Sequence, residues 1–227
     1  MLRVYVGYDS REDEAFAVAA KTASAYGCVV LPIHEDTLRS AGLLTRPLDR
    51  RGGMWDLVSD APQSTEFAVS RFFVPLLAHA GWCLAVDCDV VFLRDPRELF
   101  ELADDSKAVH VVQHPPLVDD GIKMDGQQQT LYPRKNWSSV VLWNVSHPAN
   151  RRINLTMLNQ WPGRDLHAFG WLADSEIGEL PLEANWLVGV QPKPARPMIA
   201  HYTLGGPWLP EWTPREDDHI WTKASER

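Results

Sequence analysis

Two carboxylates sit inside an otherwise apolar run, Trp82-Cys-Leu-Ala-Val-Asp-Cys-Asp-Val-Val-Phe-Leu93. Gly81 on one side and Arg94-Asp95-Pro96 on the other bound the run, which therefore reads as a buried strand. Burying a charge is costly unless it is paired, protonated or bound to metal. At a strand end, where the chain turns, Asp87 and Asp89 can converge on one cation. Their hard oxygen ligands suit Mg²⁺ or Mn²⁺, ions that usually complete their shells with substrate phosphates. Asp-x-Asp alone also fits a polar turn after a strand. Its apolar setting and the residues elsewhere in the chain favour the cation.

The 227 residues suffice for one large domain or two small ones, and 45% hydrophobic with 23% charged residues is an ordinary globular composition. A net charge of −8 argues against a broad nucleic-acid-binding surface, which needs basic residues to displace counterions. The three cysteines, Cys28, Cys83 and Cys88, lie in apolar contexts and read as buried free thiols of a reducing compartment. No apolar run approaches the length of a membrane span, and Leu2-Arg-Val-Tyr-Val6 reads as a strand rather than a signal peptide. The expectation is a cytoplasmic protein without a transmembrane segment. Ten tryptophans are many for this length. Core packing is their first reading, and stacking on sugar rings the second.

Along the chain, Leu2 to Tyr8 is a strand, Ala15 to Ala25 a helix ending near Gly27, and Cys28 to Ile33 a second strand. That βαβ unit predicts a parallel sheet. Residues 36–63, with Arg46, Arg50 and Arg51, read as a surface loop over the site. Ser64 to Ala80 reads as a helix kinked or broken at Pro75. After the aspartate strand come a short helix over Pro96 to Leu102, a strand over Val109 to Gln113, and an irregular excursion over 114–135. Ser138 to Asn144 is a strand, Asn150 to Gln160 a helix, and a short helix carries His167 to Ala173. Ile199 to Tyr202 is the last strand, and the tail from Glu211 includes a helix that packs back. The reading is a single α/β domain over 1–227 with a mostly parallel, Rossmann-like sheet flanked by helices.

Open α/β sheets bind ligands at the carboxyl ends of their strands. Tyr8-Asp9, Asp87 with Asp89, the Ser138 to Asn144 segment, and His201 all fall near predicted strand ends. A strand-end histidine often just bonds a backbone carbonyl. Gly205-Gly206 soon after His201 allow close backbone approach to an anion, which favours His201 as a ligand.

These pieces, together with Ser70-Arg71-Phe72-Phe73 and Gly206-Pro207-Trp208, occur in the order found in GT-A fold glycosyltransferases. The chain resembles family 8, the group of glycogenin and the bacterial lipopolysaccharide galactosyl- and glucosyltransferases, over most of its length, in a divergent bacterial or phage branch. The resemblance implies that Asp87, Asp89 and His201 bind Mn²⁺ or Mg²⁺, which bridges the diphosphate of a nucleotide sugar, usually a UDP-sugar. It implies that Tyr8 and Asp9 hold uracil and ribose, that Cys88 touches the ribose, and that Arg71 contacts the donor sugar or diphosphate. Asp174-Ser175-Glu176 resembles the family's Asp-Gln-Asp beside the donor sugar, and Asn185-Trp186 the following Asn-containing segment. Three departures stand out. Gly206 stands where the family carries a Lys before Pro-Trp, so that charge has to come from Arg71 or from the arginines of 46–51. Ser175 replaces the Gln. Ser138-Ser139 replace an Asn-Ala or Asn-Ser pair near the sugar.

The expected activity is a retaining, metal-dependent hexosyl transfer to a hydroxyl acceptor: a glycan, a lipid-linked acceptor or a small molecule. Arg71 and the Gly205-Gly206 amides would take up diphosphate charge, and Asp174 would orient donor sugar or acceptor. Two alternatives stand beside it. A nucleotide-sugar pyrophosphorylase or nucleotidyltransferase needs a basic Gly-rich N-terminal loop, which Gly7-Tyr8-Asp9-Ser10 is not. A non-catalytic nucleotide-sugar-binding relative has no need of a leaving-group metal.

Overall fold

The computed structural model describes residues 2–115, 134 and 136–226. In chain order, β1 (Arg3–Gly7), α1 (Asp13–Ser24), β2 (Val29–Ile33) and α2 (Glu35–Ser40) come first. Three two-residue strands follow: β3 (Leu48–Asp49), β4 (Trp55–Asp56) and β5 (Ala61–Pro62). A helical run, α3 (Phe67–Ser70) and α4 (Val74–Leu77), leads to β6 (Trp82–Val86), β7 (Val90–Phe92), α5 (Arg97–Phe100) and β8 (Val109–Val111). The rest is β9 (Val140–Asn144), α6 (Leu155–Gln160), α7 (Gly163–His167), β10 (Ile177–Glu179), β11 (Trp186–Leu187), β12 (Ile199–His201) and α8 (Asp218–Glu226).

The main sheet has the order β10-β8-β9-β6-β1-β2. β1 lies parallel between β2 and β6, and β8 is parallel to β10, while β9 runs antiparallel to both β6 and β8. Both faces are covered, which is why the strands are apolar throughout rather than alternating. Tyr5, Cys83, Ala85, Val141 and Trp143 pack into one core, and Val4, Val6, Leu84, Val86 and Leu142 into the other. α1 buries Ala15, Val18, Ala19 and Ala23 at helical spacing, with Asp13 and Glu14 in its first turn and Lys21 in its last, as the helix dipole favours. α8 packs back on it through Trp221 and Val18, and Lys21 donates to the Ser225 carbonyl at 2.9 Å. Trp143, Trp171, Trp186 and Trp221 are core residues, and all three cysteines are buried and free. No described helix is long and apolar enough to cross a membrane.

The structure departs from the sequence reading in four places. The 82–93 run is two strands, not one. β6 ends at Val86, and the chain leaves the main sheet at the aspartates to form β7 in a second sheet, β11-β12-β7. Residues 36–63 are not a loop over the site. They hold α2 and the β3-β4-β5 sheet, locked by Arg46. Arg46 is buried, bonds both Asp56 carboxylate oxygens (2.8 and 2.5 Å) and donates to the Trp161 carbonyl at 2.6 Å. The helix expected over His167 to Ala173 instead ends at His167, because Phe169 takes a left-handed φ of 52° that stops helical bonding. The helix expected from Asn150 starts at Leu155, where the Asn154 side chain caps the Met157 amide at 2.9 Å. The Pro75 interruption is present: a 3₁₀ turn over Arg71–Phe73 separates α3 from α4, which has Pro75 in its first turn. The excursion expected over 114–135 lies outside the described residues except at its ends.

Candidate functional site

The break between β6 and β7 builds the site. Asp87 anchors its turn by donating its amide to the Ser139 carbonyl at 3.0 Å. β7 then pairs antiparallel with β12, setting Val90 opposite His201, and the Tyr202 amide donates to the Asp89 carbonyl at 2.9 Å. That register brings the His201 imidazole to the carboxylates. Nε2 lies 3.2 Å from Asp89 Oδ1 and 4.0 Å from Asp87 Oδ2. One ligand atom from each of Asp87, Asp89 and His201 falls within 4.8 Å of the others. Two carboxylate oxygens and one imidazole nitrogen make a donor set that suits Mn²⁺ or Mg²⁺.

The charges are balanced around this cluster. Burial pushes the Asp87 pKa up, against the Arg71 guanidinium, whose Nη1 sits 2.5 Å from Asp87 Oδ1. Burial alone would lower the His201 pKa, but the Asp89 and Asp87 carboxylates override it and raise it. Glu12, just before α1, carries a carboxyl pushed up to about 7 by burial and then by the Asp89 charge.

Arg71 also donates to the Ser138 carbonyl at 3.2 Å and lies 4.8 Å over the Phe67 ring. That ring packs against Gly7, where a Cβ would meet it at 2.5 Å, so the end of β1 admits only glycine. The arginines of 46–51 are held in ion pairs: Arg46 with Asp56, Arg50 with Glu35 and Arg51 with Asp49.

The remaining residues singled out in the sequence are placed as follows. Tyr8 is half-buried beside His34, its hydroxyl donating to Asp13 at 3.0 Å. Asp9 is fully buried and accepts from the Arg11 side chain (2.9 and 2.6 Å) and from the Arg11 and Glu66 amides. Cys88 alternates away from the two aspartates into the core, where its buried thiol donates to Glu12 at 3.1 Å. Ser138 Oγ lies 2.7 Å from His167 Nδ1, and Ser139 Oγ donates to the Asn136 carbonyl at 2.8 Å. The Gly205 amide is committed to the Tyr202 carbonyl at 2.7 Å, and the Cβ position of Gly206 is filled by the Trp208 ring. Asp174 is 94% exposed and pairs with Arg134. It precedes β10, a strand parallel to β6, whereas Asp87 follows β6, so the two lie toward opposite ends of the sheet.

Sequence reasoning assigned no role to Glu12, His114, His167 or Gln191, and only a place to Asn185. Asn185 is fully buried, its Oδ1 2.9 Å from His201 Nδ1 and its Nδ2 2.9 Å from Ser139 Oγ and 3.0 Å from His114 Nε2. The Gln191 carboxamide lies 3.0 Å from His114 Nδ1. These partners are 46 to 77 residues apart along the chain, apart from the His201–Asn185 pair at 16, so no local pattern announces them.

No family model matches the chain. The chain is 40% identical over 233 residues to Protein CDI of Arabidopsis thaliana, covering 99% of this chain and 86% of that protein. It belongs to the Protein CDI family. Among solved structures, it is similar to the glycosyltransferase GlyE of Streptococcus pneumoniae TIGR4, with TM-score 0.62 at 16% identity over 99% of this chain. It spans 60% of the GlyE chain. It is also similar to the galactosyltransferase LgtC, with TM-score 0.59 at 13% identity, covering 99% of this chain and 95% of that one. Mouse xyloside xylosyltransferase 1 follows, with TM-score 0.54 at 10% identity over 88% of this chain. The fold of this Protein CDI relative is thus the GT-A fold.

Proposed function

We propose that the chain is a single-domain, metal-dependent glycosyltransferase of the family 8 type. It moves a sugar, with retention, from a UDP-sugar to a hydroxyl of a glycan, lipid-linked or small-molecule acceptor. The observation that carries this reading is the convergence of Asp87, Asp89 and His201 on one point at the carboxyl end of β6, beside the end of β1. In an open α/β sheet that crevice is where a nucleotide lies. The GT-A fold and the LgtC structure, which holds donor and acceptor sugar analogues, support the same reading. Action in the cytoplasm belongs to the same proposal.

Asp87, Asp89 and His201 would hold the cation, which would supply Lewis-acid charge for a nucleotide diphosphate. Arg71 keeps Asp87 ionised and aimed, with Oδ1 on the guanidinium and Oδ2 turned toward His201. As a positive group beside the ligands, paired on one side with Asp87, it also attracts the diphosphate, the role left open by Gly206 in place of the family lysine. The Tyr8 ring, tilted against His34 with ring centroids 4.3 Å apart, offers a face to a base. Asp9, fully bonded by Arg11 and Glu66, shapes the turn that carries Tyr8. The backbone about Cys88, with Ser138 and Ser139, borders the ribose and sugar. Asp174 and the Gly205-Gly206 amides take no part in this reading: Asp174 lies toward the opposite end of the sheet and pairs with Arg134, the Gly205 amide is bonded to the Tyr202 carbonyl, and the Trp208 ring covers Gly206.

The test is UDP release from a panel of UDP-sugars with Mn²⁺, with and without a mixed acceptor pool. Release that requires Mn²⁺ and vanishes in Asp89→Asn supports the proposal. Equal release by Asp89→Asn would remove the metal assignment.

A further inference from the structure

Hydrogen-bond polarity in the buried network behind His201 can be followed from one fixed point. The Asn136 backbone carbonyl can only accept, so the single Ser139 hydroxyl proton goes to it at 2.8 Å. Ser139 Oγ is then an acceptor toward Asn185, and the Asn185 group 2.9 Å away has to be its NH₂. The second N–H of that NH₂ faces His114 Nε2 at 3.0 Å. His114 is buried, which holds its pKa down to about 4, so its neutral ring accepts on Nε2 and carries its one proton on Nδ1, toward which the Gln191 carboxamide 3.0 Å away turns its oxygen. With both N–H groups of Asn185 turned away, its Oδ1 faces His201 Nδ1 at 2.9 Å and requires a proton on that nitrogen. The neutral His201 ring therefore has its lone pair on Nε2, the atom that points at Asp89 and Asp87.

We infer that Asn185 is a positioning residue that selects the metal-binding tautomer of His201. The selection originates in the Asn136 carbonyl and passes through Ser139. The inference rests on the metal-site reading above and deepens it. Partners that orient a ligating imidazole typically matter 10–100-fold in metal affinity, so Asn185 ranks with the ligands although it touches no substrate.

Two experiments test it on the full chain. In ¹⁵N-histidine-labelled wild-type protein loaded with Cd²⁺, His201 should carry its proton on Nδ1 and the ion on Nε2. A proton on Nε2, or ligation through Nδ1, overturns the inference without any variant. In a Mn²⁺ titration read by electron paramagnetic resonance, with no nucleotide present, Asn185→Leu should bind at least about 10-fold more weakly. Asn185→Asp, which keeps the acceptor for Nδ1–H, should stay within about threefold of wild type, on the same scale of outer-shell effects. Asp89→Asn in the same titration separates the two claims. If it binds Mn²⁺ like wild type, the metal site itself is wrong. If it loses Mn²⁺ while Asn185→Leu retains it, only the role of Asn185 is wrong.

Discussion

His201 stands opposite Val90 in the antiparallel pairing of β12 with β7, one residue beyond Asp89. A strand's side chains alternate faces, so a slip of one residue in this register would turn the imidazole away from the carboxylates. The site thus depends on the second sheet as much as on the first. His201→Ala should leave the ladder intact, because the pairing is carried by backbone groups. It should weaken Mn²⁺ binding at least about 10-fold, since a ligand costs no less than its outer-shell partner. Calorimetric titration with Mn²⁺ checks this, and unchanged affinity would return His201 to a purely structural role.

Arg71 holds Asp87 through a 2.5 Å contact while burial pushes the Asp87 proton affinity up. Removing the guanidinium takes away the largest charge opposing burial, so protons compete better with the cation. Arg71→Ala should therefore weaken Mn²⁺ binding, and more at pH 6 than at pH 8. Losing a charge-assisted hydrogen bond of about 1.5–3 kcal/mol corresponds to roughly 10- to 100-fold. Arg71→Lys should recover part of the loss. Dissociation constants across that pH range decide the matter: a deficit that does not vary with pH would detach Arg71 from Asp87 ionisation.

Arg46 and Asp56 form a buried ion pair that joins the β3-β4-β5 sheet to the carbonyl of Trp161. Truncating one partner leaves the other charge buried and unpaired, at a cost of about 3–5 kcal/mol. Arg46→Ala should destabilise the fold by that order, and the double change Arg46→Met with Asp56→Leu should restore much of it. Urea unfolding of the three variants is the measurement. An Arg46→Ala loss under about 1 kcal/mol, a figure ordinary for an exposed pair, would contradict the burial assigned to it.

The βαβ start, the aspartate strand and His201 were legible because their signals are local: alternation, an apolar run, a strand end. The departure of the chain from the main sheet at Asp87 was not. Val86 and Val90 are equally apolar, and what separates them is pairing with β12 more than 100 residues later. Arg46 resembled a surface arginine because its partner Asp56 and the Trp161 carbonyl are assembled only by tertiary folding. Asn185 was hidden for the same reason, although its carboxamide joins segments ending at His114, Ser139 and His201.

His114 gives a pH signature. Its pKa is held down to about 4 by burial, against an ordinary value of about 6.5. Above pH 6.5 both folded and unfolded chains keep it neutral, and its contribution to stability is complete. As pH falls toward 4 the unfolded chain takes up a proton that the folded chain refuses, so stability is lost, by roughly 3 kcal/mol in all. His114→Gln should flatten the dependence between pH 6.5 and 4 relative to wild type. Unfolding free energies at several pH values compare the two, and parallel curves would mean that His114 is protonated in the fold.

The proposed function stands or falls with Asp87, Asp89 and His201 as a cation site serving a nucleotide diphosphate. The most direct test is calorimetry of the full chain with UDP, GDP, CDP and ADP, each with and without Mn²⁺. UDP should bind only with Mn²⁺, and Asp89→Asn should abolish that binding. Nucleotide binding that is indifferent to Mn²⁺, or no binding of any nucleotide with Mn²⁺ present, would contradict it.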